Sequence, residues 1–224
     1  MIPSYWLDYV PLPIVIATDI AGGLGSGLGV ITALPPELFS NKKLIIMLGV
    51  PLFIGGIIGT IFLTKISAFA LSLLLIIAIS FLLLYMLFQK KHKTQNLAKL
   101  ELTKKQYPLL SSIMLVLGVY SNVSGVGGGT FQKIAYTSIL RIKVVDGIGI
   151  NGVIYLPPTI FSLIVTGIAG LIAWPYLITL WVGTFIGSHF VAKHVSKIDD
   201  KYLRKLLMVL AFLYLIYLVW SFVH

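Results

Sequence analysis

Residues 123–133 read VSGVGGGTFQK and combine a glycine cluster with polar side chains and Lys133. The glycines are Gly125, Gly127, Gly128 and Gly129. Each glycine in a helix costs about 1 kcal/mol relative to alanine, so the cluster predicts that a helix breaks here. A helix that restarts after such a break presents unpaired N–H groups and the positive end of its dipole. The chemistry predicted for this stretch is therefore anion binding.

Polar groups around the break would add hydrogen bonds to a bound anion, each contributing about 1.5–3 kcal/mol. The substrate-binding candidates are Asn122, Ser124, Gly125, Gly127, Gly128, Gly129, Thr130 and Gln132. Lys133 could supply positive charge, or its ammonium could extend to the membrane interface. The alternative role for the glycines is helix packing alone, but three consecutive glycines exceed what packing requires.

The composition is that of a membrane protein. Of the 224 residues, 58% are hydrophobic and 11% are charged, and the mean hydropathy is +1.00. A soluble domain would leave too much of this apolar surface exposed. The chain has no cysteine, which excludes disulfides and thiol chemistry, and its scattered histidines give no support for a metal site. We expect no cofactor and no cleavable signal peptide.

Seven apolar segments follow one another along the chain, each long enough to be a candidate membrane segment. Segments A to G cover about 12–34, 44–64, 66–88, 108–140, 144–169, 175–195 and 202–223. A basic linker at 89–107 separates a first half, 1–88, from a second half, 108–224. The linker is expected to be a solvated loop, with a short surface helix as the alternative.

The distribution of Lys and Arg predicts the path of segment D. If D crosses the membrane once, the basic residues divide evenly between the two sides. If D enters and returns, 15 of the 17 basic residues lie on one side, with Lys65 opposite and Lys133 within D. Cytoplasmic loops collect Lys and Arg, so D is predicted to be re-entrant and the linker cytoplasmic. The net charge of +10 thus reflects membrane topology and not a nucleic-acid partner.

An internal repeat relates the two halves. GGIIGT at 55–60 resembles GTFIGS at 183–188, and ATD at 17–19 resembles GIN at 149–151. A re-entrant D places A-B-C and E-F-G in opposite orientations, an inverted repeat that is common in secondary transporters. The small-residue pairs within the repeat favour close helix packing. Segment D has no full partner in the first half, and residues 1–13 resemble the tail of one.

Two further features lie within the apolar segments. Asp19 is a carboxylate in a membrane segment, and such groups usually face a cavity or a partner. It is the candidate for carrying a coupling proton, with an interfacial carboxylate at a helix end as the alternative. Pro157 and Pro158 are expected to kink segment E.

Enzymatic signatures are missing from the sequence. GIGING at 147–152 satisfies G-x-G-x-x-G, but a dinucleotide site needs a soluble strand–helix unit around it. No Walker A pattern, H-E-x-x-H or G-x-S-x-G occurs, and no acid–base pair is evident at membrane depth. The chain is therefore predicted not to be an enzyme, although a lipid-modifying membrane enzyme and a non-transporting accessory subunit stay as alternatives.

Three stretches, SGVGGGTF, GIGIN and VGTFIGSHFVAKHVS, together resemble the sulfite exporter TauE/SafE family of membrane permeases. Residues 110–222 resemble a complete second half, and 10–88 resemble a first half without its opening helix and glycine motif. The resemblance implies transport of sulfite, a sulfonate or a related sulfur oxyanion. It also implies that residues 127–129 are the family's glycine motif, and that Asn151 and Asp19 occupy the polar position of a second conserved stretch.

Taken together, these features predict an all-α polytopic membrane protein with an inverted repeat and a broken, re-entrant glycine-rich helix. Its expected function is secondary transport of a small anion, with the substrate bound at the glycine break. The expected partners are the anion, the lipid bilayer and a second copy in a homodimer. The expected location is the plasma membrane, crossed several times.

Overall fold

A computed structural model of the chain describes residues 11–63, 65, 106–125, 128–140, 142–195 and 197–198, with isolated positions between 73 and 100 and between 202 and 216. Within this part the backbone forms seven α-helices. They are α1 (Leu12–Ala33), α2 (Lys42–Leu63), α3 (Gln106–Ser124), α4 (Gly128–Leu140), α5 (Val144–Ile154), α6 (Leu156–Ile168) and α7 (Trp174–Val195). The prediction of an all-α fold is confirmed. Most of segment C, most of the linker and most of segment G lie outside the described residues.

Four of these helices, α1, α2, α3 and α7, are long and apolar enough to cross a membrane. Helices α5 and α6 pass the same test together but are bent by 41°. The bend lies at Tyr155, two residues before Pro157, and Pro157 and Pro158 are in the first turn of α6. A proline inside a helix removes one backbone hydrogen bond and clashes with the preceding turn, which explains the bend. The predicted kink in segment E is therefore confirmed.

Helix α3 ends at the first glycine of the cluster. Gly125 has a φ of 67°, a left-handed conformation that glycine adopts without a steric penalty. Its N–H donates to the carbonyl of Ser121 over 3.1 Å, which satisfies one of the last carbonyls of α3. Helix α4 then begins at Gly128. The glycine cluster thus ends one helix and begins the next, as predicted.

Helix α4 folds back along α3. The rings of Tyr120 and Phe131 meet edge to face, with centroids 5.1 Å apart. Leu110, near the start of α3, packs in the same core cluster as Leu140, the last residue of α4. Positions early in α3 therefore contact positions late in α4, and the two helices form an antiparallel hairpin. Segment D is re-entrant, as the charge distribution predicts.

The core clusters show which way each helix runs. One end of the helix bundle contains Leu44, Leu110 and Leu140, close to the basic residues. The opposite end contains Ile16 and Leu63, packed with Val123, Ile172 and Leu177. Helices α1 and α7 run toward the basic end, whereas α2 and the bent pair α5–α6 run away from it. Segment A is thus antiparallel to E and B to F, which is the arrangement of an inverted repeat.

The tightest helix contacts join the two halves of the sequence. Helix α1 packs closely on α7, and α2 packs closely on α3, while α5 and α6 contact both α1 and α2. Glycines permit both close contacts. Gly25 lies against the backbone at Trp181 of α7, and Gly59 lies against the backbone at Val119 of α3. The packing units are therefore helix pairs with one member from each half.

The two GxxxG pairs of the repeat differ in what they contact. A Cβ added to Gly55 would collide with the carbonyl oxygen of Leu115, so this position is fixed by the α2–α3 contact. Gly183 and Gly187 are exposed on α7, and no described residue comes within 4 Å of a Cβ added there. Close packing is thus confirmed for the first pair alone.

We expect Gly55→Ala to lower the free energy of unfolding by about 1–3 kcal/mol, because its methyl group would overlap the α3 backbone. Gly183→Ala is the matched control, since its methyl group meets no described atom and alanine favours a helix by about 1 kcal/mol over glycine. Thermal unfolding in detergent would measure both variants. Equal destabilisation by the two substitutions would contradict the packing described here.

Candidate functional site

A cavity of about 250 Å³ lies between α1, α4, α5 and α7. Its polar lining side chains are Asp19, Ser26, Lys133, Asn151, Tyr155 and Thr184. The remaining lining consists of apolar side chains and of glycine backbone from α1 and from the break between α3 and α4. The cavity therefore combines one cation, one carboxylate and several neutral hydrogen-bonding groups within a chain that is otherwise mostly apolar.

Glycines of α1 leave the space that the cavity occupies. A Cβ added to Gly23 would lie 3.2 Å from Cε1 of Tyr155, and one added to Gly27 would lie 2.8 Å from Cδ2 of Leu156. These two glycines face the bend between α5 and α6. Any larger side chain at either position would push that bend away from α1 and change the shape of the cavity.

The helix break opens directly onto the cavity. A Cβ built at Gly129 lies 3.2 Å from Nδ2 of Asn151 and 3.9 Å from Cε of Lys133. At the other side of the break, a Cβ built at Gly125 lies 3.6 Å from Oδ2 of Asp19. The first turn of α4, which carries the positive end of its helix dipole, is thus adjacent to both a lysine and an amide. The structure brings these five predicted residues together.

Asp19 and Lys133 both line this cavity, and Asp19 is an exposed residue. Asp19 lies about two turns inside α1, and therefore not at the helix end that was the alternative for it. Ionisable groups in membrane segments are costly unless they face a cavity or one another. Asp19 and Lys133 meet this condition, because both line the same cavity.

Other predicted residues serve helix packing. Asn122 is buried between α2 and α3, where its Nδ2 donates to the Gly118 carbonyl over 3.1 Å and its Oδ1 accepts from the Thr60 hydroxyl over 3.5 Å. Gly128 lies against the side chain of Ser121, so a larger residue there would separate α3 from α4. Ser124 is fully buried and does not line the cavity.

The remaining predicted residues lie on α4 or in the break. Gln132 is buried, and its Nε2 donates to the Ser121 hydroxyl over 2.8 Å, which ties α4 to α3. Its Oε1 is buried without a hydrogen-bond partner. Thr130 is half-buried and does not line the cavity, and Gly127 lies outside the described residues. Among the residues predicted on α4 and at the end of α3, those that line the cavity are Gly125, Gly129 and Lys133.

Sequence reasoning missed several lining residues. The glycines of α1 form the stretch GGLGSGLG at 22–29, whose spacing places small residues on two faces of one helix. This spacing indicates that α1 lies close to neighbouring elements on two sides, and it would have pointed to α1 as part of the cavity wall. Tyr155 and Thr184 carry no such signal, because a single tyrosine or threonine in an apolar segment has many possible surroundings.

Metal binding has no structural basis in the part of the chain described here. No group of three His, Asp or Glu residues lies close enough together among these positions to hold a metal ion.

We expect Gly125→Ala to destabilise the protein more than Gly170→Ala. Both glycines have positive φ, 67° and 70°, so both substitutions force alanine into the left-handed region at a cost of about 1–2 kcal/mol. Only at Gly125 would the methyl group also meet a neighbour, 3.1 Å from Cγ2 of Ile16. Unfolding in detergent measures the difference, and a larger loss for Gly170→Ala would contradict the described conformation of the break.

Comparison with known proteins identifies the family. The family model for the sulfite exporter TauE/SafE matches residues 1–218, which include both predicted halves of the repeat. No curated protein and no solved structure matches the chain. The match extends over nearly the whole sequence, and the helices long and apolar enough to cross a membrane are consistent with a family of membrane proteins. The chain belongs to the sulfite exporter TauE/SafE family of membrane transporters.

Proposed function

We propose that this protein is a secondary permease for a small anion, a sulfur oxyanion such as sulfite or a sulfonate, which binds in the central cavity. The observation that carries the proposal is the convergence of the α4 N-terminus, Lys133 and Asn151 on one cavity. Each supplies positive charge or N–H donors, and such groups recognise an anion. The substrate class itself comes from the family.

The cavity suits a small substrate. Pockets for drug-sized ligands usually measure about 300–1,000 Å³, and this cavity, about 250 Å³, lies below that range. A sulfite ion or short sulfonate would be held by N–H groups at the start of α4, by Nδ2 of Asn151 and by the Lys133 ammonium. Glycine at 129 lets the anion approach the backbone closely.

Asp19 is a group in the cavity that can bind and release a proton. An ionised carboxylate repels an anion in the same low-dielectric cavity, and protonation removes that repulsion. We infer that Asp19 takes up a proton when the anion binds and releases it on the other side of the membrane. The anion and the proton then move together.

The packing supports a particular form of alternating access. The pairs α1–α7 and α2–α3 are each held by backbone contacts at glycines, and the bent helices α5 and α6 touch both pairs. Relative motion of the two pairs would open the cavity to one side and then to the other. The basic end, which contains Lys42 and Lys143, would face the cytoplasm of the cell across the plasma membrane.

We expect Lys133→Met to weaken half-saturation for sulfite about 10- to 100-fold, the loss of one charge-assisted interaction of about 1.5–3 kcal/mol. Uptake of labelled sulfite into proteoliposomes measures this effect. Lys65→Met is the matched control, because Lys65 is exposed beyond the end of α2 and does not line the cavity. Unchanged half-saturation in Lys133→Met would refute the binding site, and a folded chain that moves neither sulfite nor a sulfonate would refute the substrate class.

Asp19→Asn is expected to abolish sulfite accumulation driven by a pH gradient while leaving sulfite exchange between the two sides intact. The amide keeps the size of the side chain but cannot carry the proton. The two assays would be run on the same proteoliposomes, with and without the gradient. An unchanged dependence of flux on pH would show that Asp19 has no part in coupling.

A further inference from the structure

A second opening lies beside the central cavity. It measures about 450 Å³ and is found between the early part of α1 and the early part of α7, at the end opposite the basic residues. Its lining includes Val15, Thr18, Tyr176 and Thr179, together with Asp19 and Leu180. We call this opening the outer vestibule.

The polar side chains among the described residues that line the outer vestibule are Thr18, Asp19, Tyr176 and Thr179. The Thr18 hydroxyl donates to the Ile14 carbonyl over 2.7 Å and accepts from the N–H of Ala173 over 3.0 Å. The Thr179 hydroxyl donates to the Pro175 carbonyl over 3.2 Å. Both threonine hydroxyl hydrogens are therefore bound to backbone, and Asp19 is the charged group among the lining residues that the structure describes.

Asp19 and Leu180 line both the outer vestibule and the central cavity. They stand on opposite helices, α1 and α7, and so form the wall between the two spaces. Leu180 lies over Gly22, where an added Cβ would be 3.3 Å from the Cβ of Leu180. Asp19 is backed by Gly125 of the helix break. The wall thus consists of one apolar and one acidic side chain, each with a glycine beside it.

The helices that carry this wall are fixed to each other next to it. Nε1 of Trp181 donates to the Ala21 carbonyl over 2.8 Å. The Thr184 hydroxyl donates to the Leu180 carbonyl of its own helix over 2.6 Å, and its oxygen lies 3.1 Å from the Gly22 carbonyl of α1. The Trp181 bond and this close approach join α1 and α7 within one turn of Leu180. Passage between the two spaces therefore requires movement of the Leu180 side chain, because the helix backbones are held in place.

We propose that Leu180 and Asp19 form the gate between the central cavity and the face of the membrane opposite the basic end. An apolar constriction resists the passage of hydrated ions, and Leu180 provides one. Asp19 adds a charge that repels anions until it is neutralised. The gate deepens the proposed function, since it rests on the central cavity being part of the transport path.

The test uses the natural lack of cysteine, which provides a background without labelling. Ser26 lines the central cavity but not the outer vestibule, so Ser26→Cys reports access to the inner space. A membrane-impermeant thiol reagent would be added to oriented proteoliposomes on the face opposite the basic end. We expect Leu180→Ala in the Ser26→Cys background to raise the labelling rate about tenfold or more, a barrier reduction of about 1.4 kcal/mol.

Ile178→Ala is the matched control, because Ile178 lies on the same helix, is exposed and lines neither space. Leu180→Thr preserves more side-chain volume and should also raise the rate, by hydrating the constriction. Equal rates for the Leu180 variants and the control would overturn the gate, as would fast labelling of Ser26→Cys alone. The reaction needs no sulfite flux, so a chain with a working gate but no sulfite transport would refute the substrate and keep the gate.

Discussion

The structure depends on the close approach of the α1 backbone to its neighbours on two sides. Gly25 and Gly29 meet the backbone of α7, while Gly23 and Gly27 meet the bend between α5 and α6. Between membrane helices, burial from water supplies no driving force, so packing and hydrogen bonds must hold the helices together. The bond from Nε1 of Trp181 to the Ala21 carbonyl of α1 does so on the α7 side. This arrangement holds Asp19 at one fixed depth, beside the cavity.

The helix break supplies the other half of the site. Backbone groups freed at membrane depth must be satisfied by protein, water or ligand, since lipid offers no partner. The hairpin of α3 and α4 brings the freed end of α4 to a cavity shared with Asn151 and Lys133. A polar, charged space therefore exists where the chain would otherwise be apolar. An anion bound there would satisfy the N–H groups of α4 and offset the Lys133 charge.

Local features were predictable from the sequence. Gly125 ends one helix and Gly128 begins the next, Pro157 and Pro158 bend a third, and the basic residues predict that segment D returns to its starting side. Which face of a helix lines a cavity depends on tertiary packing, which could not be predicted from the sequence. Asn122 and Gln132 were plausible donors, but they stabilise the contacts of α3 with α2 and α4. The pairing of α1 with α7 across the two halves could likewise not be predicted from the order of the segments.

The proposed binding position of the anion is the start of α4, beside Lys133 and Asn151. Selenite is a close analogue of sulfite, and its selenium atom scatters anomalously. Crystals of the protein soaked in selenite would therefore locate the site directly. If the anion binds there, an anomalous peak is expected within hydrogen-bonding reach of the Gly129 backbone and the Asn151 amide. A peak elsewhere, or none at a concentration that inhibits sulfite flux, would contradict this binding position.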